Sequence, residues 1–209
     1  MKPRCSCAVL VSGFGSNLQA ILDASSKKNY PAEVSLVMSN NPQATALKRA
    51  QKKKIPTCVV NHKDYDSRES FDQELIRQLD QANIELVILA GFLRVLSPLF
   101  VNHFRGRIMN IHPSLLPAFP GIHSIEKAWQ YGVKVTGVTI HFIDEGTDTG
   151  PIIFQEALTI LPKENLSHLE NRVHQIEYRL LPEAIQLFAE KRLEVLGRKV
   201  FIRSRERKK

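Results

Sequence analysis

Between residues 7 and 112 the chain alternates short apolar runs with helical patterns, and this rhythm limits the fold more than any other feature. Cys7 to Ser12, Val34 to Met38, Thr57 to Val60, Glu85 to Ala90 and Ile108 to His112 read as strands. Helical patterns fill the gaps. Leu18, Ile21 and Leu22 stand at helical spacing, Ala44 to Lys53 reads as a second helix, and Ser67 to Gln81 carries Phe71, Leu75 and Leu79 on one stripe. A fourth helix starts at Ser97-Pro98, where the serine caps and the proline takes the first helical position. Strands joined by helical crossovers must run parallel, so the expected class is α/β: a Rossmann-like open sheet with parallel N-terminal strands.

After residue 121 the rhythm changes. Ser124 to Tyr131 reads as a helix, and Val133 to Ile143 and Pro151 to Ile160 as extended segments. The acidic turn Asp144-Glu145-Gly146-Thr147-Asp148-Thr149-Gly150 joins them. Two strands linked this way suit an antiparallel edge on the mixed sheet. Asn165 to Glu190 forms a long helix in which Pro182 predicts a kink or a break. Arg192 to Ile202, centred on Gly197, suits a terminal hairpin. No repeat, low-complexity block or linker divides the chain, so residues 1–202 are expected to form one domain.

Composition removes several classes. The longest apolar run, Leu86 to Leu93, is too short to cross a bilayer, and the N-terminus lacks the pattern of a signal peptide. Three cysteines, Cys5, Cys7 and Cys58, make no even framework and favour a reducing, cytoplasmic setting. The net charge of +8 is concentrated at the end: residues 198–209 hold seven basic side chains against Glu206 alone. The body is therefore nearly balanced, which suits a solvated basic tail at 203–209 better than a nucleic-acid surface.

Two places hold chemistry. In the strand Ile108 to His112, Asn110 and His112 are two residues apart and so project from one face. Pro113 then ends the ladder at the carboxyl end, where open α/β sheets place ligands. The second is Gly13-Phe14-Gly15-Ser16-Asn17, a glycine turn between the first strand and the first helix. It is no Walker loop, and Leu18 stands where a dinucleotide fingerprint needs its third glycine. A phosphomonoester suits this helix start, the alternative being a glycine turn with no ligand. Asp148 in the acidic turn joins Asn110 and His112 as a third candidate. A carboxylate beside an imidazole is expected to raise its pKa and keep it protonated, and a carboxamide N–H donates to an oxyanion. No nucleophile elbow and no His-Glu-x-x-His motif is present, and no metal is expected. The other histidines, His141 and His174 among them, read as structural or exposed.

The sequence resembles the phosphoribosylglycinamide formyltransferases along nearly its whole length. The motifs are Ser-Gly-Phe-Gly-Ser-Asn-Leu-Gln-Ala-Ile (12–21), Leu-Ala-Gly-Phe-Leu-Arg-Val-Leu (89–96), Asn-Ile-His-Pro-Ser-Leu-Leu-Pro (110–117) and Asp-Glu-Gly-Thr-Asp-Thr-Gly-Pro-Ile-Ile (144–153). The last two belong to the wider formyltransferase superfamily; the first points to the glycinamide ribonucleotide branch. The resemblance implies transfer of a formyl group from 10-formyltetrahydrofolate, as co-substrate, to the amine of 5′-phosphoribosylglycinamide in purine biosynthesis. It implies Asn110, His112 and Asp148 as the catalytic set and Gly15, Ser16 and Asn17 around the substrate phosphate. It also implies Arg68 with Leu93, Arg94, Val95, Leu96 and Asn110 at the folate, and Glu177 near the glycinamide end. Residues 1–100 would form a phosphate-binding half and 101–202 a catalytic and folate half. Small-molecule substrates are the expected partners, with no nucleic acid or membrane, for a monomer or homodimer. The rival readings are a formyltetrahydrofolate hydrolase, a branch with an added N-terminal regulatory domain, and an RNA-binding protein using the tail. A tRNA formyltransferase would need a C-terminal RNA-binding domain.

Overall fold

The computed structural model describes residues 3–204. Five parallel strands come first: β1 (Cys5–Val11), β2 (Ala32–Ser39), β3 (Thr57–Val59), β4 (Leu86–Leu89) and β5 (Ile108–His112). The helices α1 (Ser16–Ser25), α2 (Thr45–Lys52), α3 (Arg68–Gln81) and α4 (Pro98–His103) make the crossovers. Then come α5 (Ser124–Tyr131), β6 (Val135–Phe142), β7 (Ile152–Thr159), α6 (Leu166–Ala189), β8 (Leu193–Leu196) and β9 (Lys199–Ile202). All nine strands join one sheet in the order β3-β2-β1-β4-β5-β6-β7-β9-β8.

Alternation within β1 explains the layering. Cys7, Val9 and Val11 enter a core shared with α1, α2 and α6, whereas Ala8 and Leu10 enter another shared with α3 and α4. A strand covered on both faces has no side for polar residues, hence its continuous apolar run. The antiparallel pairs β5–β6 and β6–β7 follow the expectation. They are not the rim, however, because β9 adds parallel to β7 and β8 closes the edge.

Helix α6 runs unbroken through Pro182. A proline inside a helix removes a donor and costs about 3 kcal/mol. Here Leu180, Leu181, Ala184 and Ile185 around it are buried in the larger core, and that packing holds the segment helical. Tyr30 Oη also donates to the Pro182 carbonyl at 2.7 Å. Arg203, expected as the start of the tail, instead closes the hairpin: its N–H donates to the Arg192 carbonyl at 2.8 Å and its Nε to Glu194 at 2.9 Å. Residues 205–209 of the tail lie outside the described residues. Among the described residues no helix is long and apolar enough to cross a membrane.

Candidate active site

The chain moves from β1 outward to β2 and β3, then returns to β4 and β5 on the other side of β1. Such a switch point opens a crevice at the carboxyl ends of the two central strands. A cleft of about 690 Å³ lies there, bordered by Gly13–Asn17 after β1, Leu89–Leu96 after β4, Asn110–Pro113 of β5, Gly121–Ser124, Ile143–Asp148, His174 and Glu177.

Gly15 sits at the start of α1 in the left-handed region, with φ of 76°. A Cβ there would lie 2.5 Å from the Ala46 Cβ, so only glycine lets the turn approach α2 this closely. Ala46 N–H donates to the Gly13 carbonyl at 3.1 Å and holds the two together. No side chain caps α1, which leaves its first N–H groups directed at the cleft. The Asn17 side chain is otherwise engaged. Its Nδ2 donates to Glu177 Oε2 at 3.0 Å, while its buried Oδ1 has no partner. Glu177, 3% exposed, also accepts from His174 Nδ1 at 2.8 Å. Its hydrogen bond raises the imidazole of His174 above the ordinary histidine range, against the opposing effect of burial.

The expected trio meets at the same cleft. His112 Nδ1 lies 3.4 Å from Asp148 Oδ2, and Asn110 Nδ2 lies 3.4 Å from Asp148 Oδ1. Asp148 is placed by a tight loop. A Cβ on Gly150 would lie 1.8 Å from the Phe142 carbonyl, so glycine there lets the acidic turn fold back onto β6. Gly121 N–H donates to Asp148 Oδ2 at 2.8 Å. Burial alone would push the Asp148 carboxyl up, but His141, the Gly121 N–H and His112 together hold it below the usual aspartate value.

One expectation fails. The imidazole of His112 is pushed below the ordinary histidine value, not above it. The ring is 3% exposed, and burial outweighs the upward effects of Asp148 and the Phe119 carbonyl. Its Nε2 lies 2.8 Å from the Phe119 carbonyl, which can only accept, so Nε2 carries the proton and Nδ1 faces Asp148.

From sequence His141 reads as structural or exposed, with no place beside the trio. It pairs with Asn110 across β5 and β6, is fully buried, and stands 3.2 Å from Asn110 Nδ2 and 3.6 Å from Asp148 Oδ1 through Nε2. Its Nδ1 donates to the Phe142 carbonyl at 2.8 Å. The strand pairing was the available signal, since His141 alternates inward within β6 opposite a polar residue of β5.

Leu93, Arg94, Val95 and Leu96 all border the cleft, with Leu93 and Val95 exposed. Arg68 does not border it. It lies exposed in the first turn of α3, with Nη2 3.5 Å from Glu69. The cleft thus draws on both halves of the chain, and the Leu93–Leu96 loop belongs to the first. The three cysteines are free and lie outside it. Among the described residues no group of three or more His, Cys, Asp or Glu side chains stands placed to hold a metal ion.

The formyl transferase family profile matches residues 5–185. The chain belongs to the formyl transferase family. Within that family it is 41% identical over 179 residues to the phosphoribosylglycinamide formyltransferase of Bacillus subtilis, covering 86% of this chain and 92% of that one. It is 50% identical over 182 residues to the trifunctional purine biosynthetic protein adenosine-3 of Drosophila melanogaster, covering 86% of this chain but only 14% of that much longer protein. Among solved structures, glycinamide ribonucleotide transformylase 1 from Symbiobacterium toebii superposes with a TM-score of 0.93 at 42% identity, covering 97% of this chain and 95% of that one. This formyl transferase shares with that structure the mixed sheet described above.

Proposed function

We propose that this chain is an enzyme that transfers the formyl group of 10-formyltetrahydrofolate to the amine of 5′-phosphoribosylglycinamide, a step of purine biosynthesis. One observation carries this reading: the open start of α1 and the Asn110–His112–Asp148 group border the same cleft. Relatives bearing the phosphoribosylglycinamide formyltransferase name, aligned over 86–90% of the chain, support it.

In this reading the substrate phosphate binds the N–H groups of Gly15, Ser16 and Asn17. The side chain of Asn17 does not reach the phosphate: Nδ2 stays on Glu177 and ties the start of α1 to α6. Glu177 marks the glycinamide end. The pterin lies against the backbone of Leu93–Leu96, with Arg94 as a nearby cation. Arg68, outside the cleft, meets only a part of the folate that projects from it.

Ser124 Oγ lies 3.1 Å from His112 Nε2, but it is buried and donates its proton to the Gly121 carbonyl at 2.9 Å, and no cysteine is near, so in this reading the substrate amine itself attacks the formyl carbon. The developing oxyanion takes an N–H from Asn110. Its Nδ2 carries two hydrogens: one goes to His141 Nε2 at 3.2 Å, because that ring's own proton is on Nδ1, and the other, only 3.4 Å from Asp148 Oδ1, is the one offered to the oxyanion. His112 begins neutral. Its Nδ1 accepts the proton the amine sheds, Asp148 stabilises the resulting imidazolium, and the proton passes to the departing folate nitrogen. Holding both substrates in one cleft supplies much of the remaining acceleration.

A formyl-transfer assay tests the reading, with glycinamide ribonucleotide, water alone and tRNA as alternative acceptors. Turnover only with the ribonucleotide supports it. Equal efficiency with the phosphate-free riboside removes the role given to the α1 start, and release of formate without an acceptor makes the protein a hydrolase.

A further inference from the structure

The Leu93–Leu96 loop hangs between two buried side chains. At its near end Leu93 N–H donates to Ser12 Oγ at 2.8 Å, and that hydroxyl donates in turn to Asn40 Oδ1 at 2.7 Å. At its far end Ser97 N–H donates to Asp72 Oδ2 at 2.6 Å. Ser12 is 9% exposed and Asp72 fully buried, whereas Leu93 and Val95 between them are 68% and 61% exposed. Neither anchor borders the cleft.

Asp72 also ties α3 to the start of α4, whose N-cap is Ser97. It lies on the inner face of α3 among Phe71, Leu75 and Leu79, where an apolar residue would pack as well. Its second oxygen, Oδ1, is buried and has no partner. Burial pushes the carboxyl up, and the hydrogen bonds from Ser97 are the main influences pulling it back. A buried carboxylate costs stability unless donors hold it, so its location at the loop end, with Ser97 as donor, indicates a positional role.

We propose that Ser12 and Asp72 are positioning residues that fix the two ends of the Leu93–Leu96 loop and so set its affinity for the folate co-substrate. The folate half of this statement rests on the formyl-transfer reading above; the anchoring half does not. With both ends pinned, the backbone N–H and C=O groups of the loop are held at a fixed height over the cleft before any ligand arrives. A flat heterocycle with alternating donors and acceptors then binds without the cost of ordering the loop.

The test uses the purified full chain and two readouts. Amide hydrogen exchange of residues 93–97 needs no substrate. In Asp72→Ala it should accelerate about tenfold or more, as expected for loss of a hydrogen bond to a charged group, while residues 13–18 keep their rate. In the formyl-transfer assay Asp72→Ala should raise KM for the folate about tenfold, again from that lost bond, with KM for the ribonucleotide within about twofold. Asp72→Asn retains a carbonyl oxygen for Ser97 and should restore both readouts to within about threefold. If Asp72→Ala fails to fold, Ser12→Ala releases the other end and must speed exchange over the same peptide. A folded Asp72→Ala or Ser12→Ala protein with unchanged loop exchange overturns the anchoring. A parallel rise in both KM values, or Asp72→Asn no better than Asp72→Ala, overturns the positioning role. Absence of formyl transfer in the unaltered protein defeats the functional reading instead and leaves the exchange result standing.

Discussion

The carboxamide of Asn110 lies 3.2 Å from Nε2 of His141, a fully buried ring that does not itself border the cleft. Asn110 therefore borders the cleft while being held from behind. His141→Ala should lower kcat by about tenfold through a loosened carboxamide, and Asn110→Ala by roughly 10²–10³ as a lost oxyanion donor. The two act as a unit, so the double variant should be no slower than Asn110→Ala alone. Steady-state kinetics of the three proteins check this; multiplied losses would separate the residues.

His112 gives a pH signature. Its pKa lies below the ordinary value of 6.5, and the neutral ring is the form that accepts a proton. Activity should therefore hold at neutral pH and fall on the acid side as pH drops through that depressed value. Asp148 pulls the imidazole upward, so Asp148→Asn should move the acid limb to still lower pH. His112→Ala should cost on the order of 10²–10⁴ in kcat and abolish the limb. A limb that Asp148→Asn leaves in place would show that the carboxylate is not its partner.

The same linkage bears on stability with the opposite sign at His174. Its folded pKa is raised by Glu177, so the pair stabilises fully below the unfolded value of 6.5, and the contribution is lost as pH rises through the folded pKa. The ring is more than one-third exposed, which screens the effect to a small one. NMR titration should find His174 above its ordinary value and returned toward it in Glu177→Gln. An identical titration in both proteins would break the assignment.

Gly15 is constrained twice, by φ of 76° and by the Ala46 Cβ. Gly15→Ala should cost about 1–3 kcal/mol from backbone strain alone, with further loss from the clash. Its thermal midpoint should fall and KM for the ribonucleotide should rise, with the folate KM less affected. Adding Ala46→Gly should recover only part of the clash, since the Ala46 Cα would still lie 2.9 Å from the new Cβ, and none of the part due to φ.

The basic tail is assigned no chemistry. Arg203 belongs to the β8–β9 hairpin through Glu194 and Arg192. Truncation after Ser204 should leave kcat/KM within about threefold, under ~0.7 kcal/mol at a tenfold per 1.36 kcal/mol. Truncation before Arg203 should also lower the midpoint of unfolding.

Much of this was legible in the residues. Short continuous apolar runs and helical patterns located the parallel strands and the crossover helices, because a strand buried on both faces and a one-sided helix have different apolar spacing. Asn110 and His112 were readable as a pair because strand geometry fixes residues two apart on one face. What escaped depended on long-range contacts. Burial of His112 comes from loops remote in sequence, and it reversed the expected direction of its pKa. His141 became part of the site only through the β5–β6 register, and Pro182 was tolerated because of the core around it. Arg68 illustrates the converse: the motif match alone put it in the folate set, and its exposed place on α3, outside the cleft lining, adds no geometric signal of its own.

The bond from Asn17 to Glu177 spans 160 positions. A wall of the cleft laid down among the first residues made therefore stays unfinished until translation has passed well into α6. Loop closure over such a distance is slow compared with forming a local helix, so ligand binding should appear late in refolding, after most of the far-ultraviolet signal has returned. Chains cut short before residue 177 lack the acid, leave Asn17 without its partner and lose Leu180, Leu181, Ala184 and Ile185 from the larger core, so they should bind no ligand. Binding competence in this protein is a property of the finished polypeptide, and a ligand added during refolding should report completion more faithfully than any measure of secondary structure.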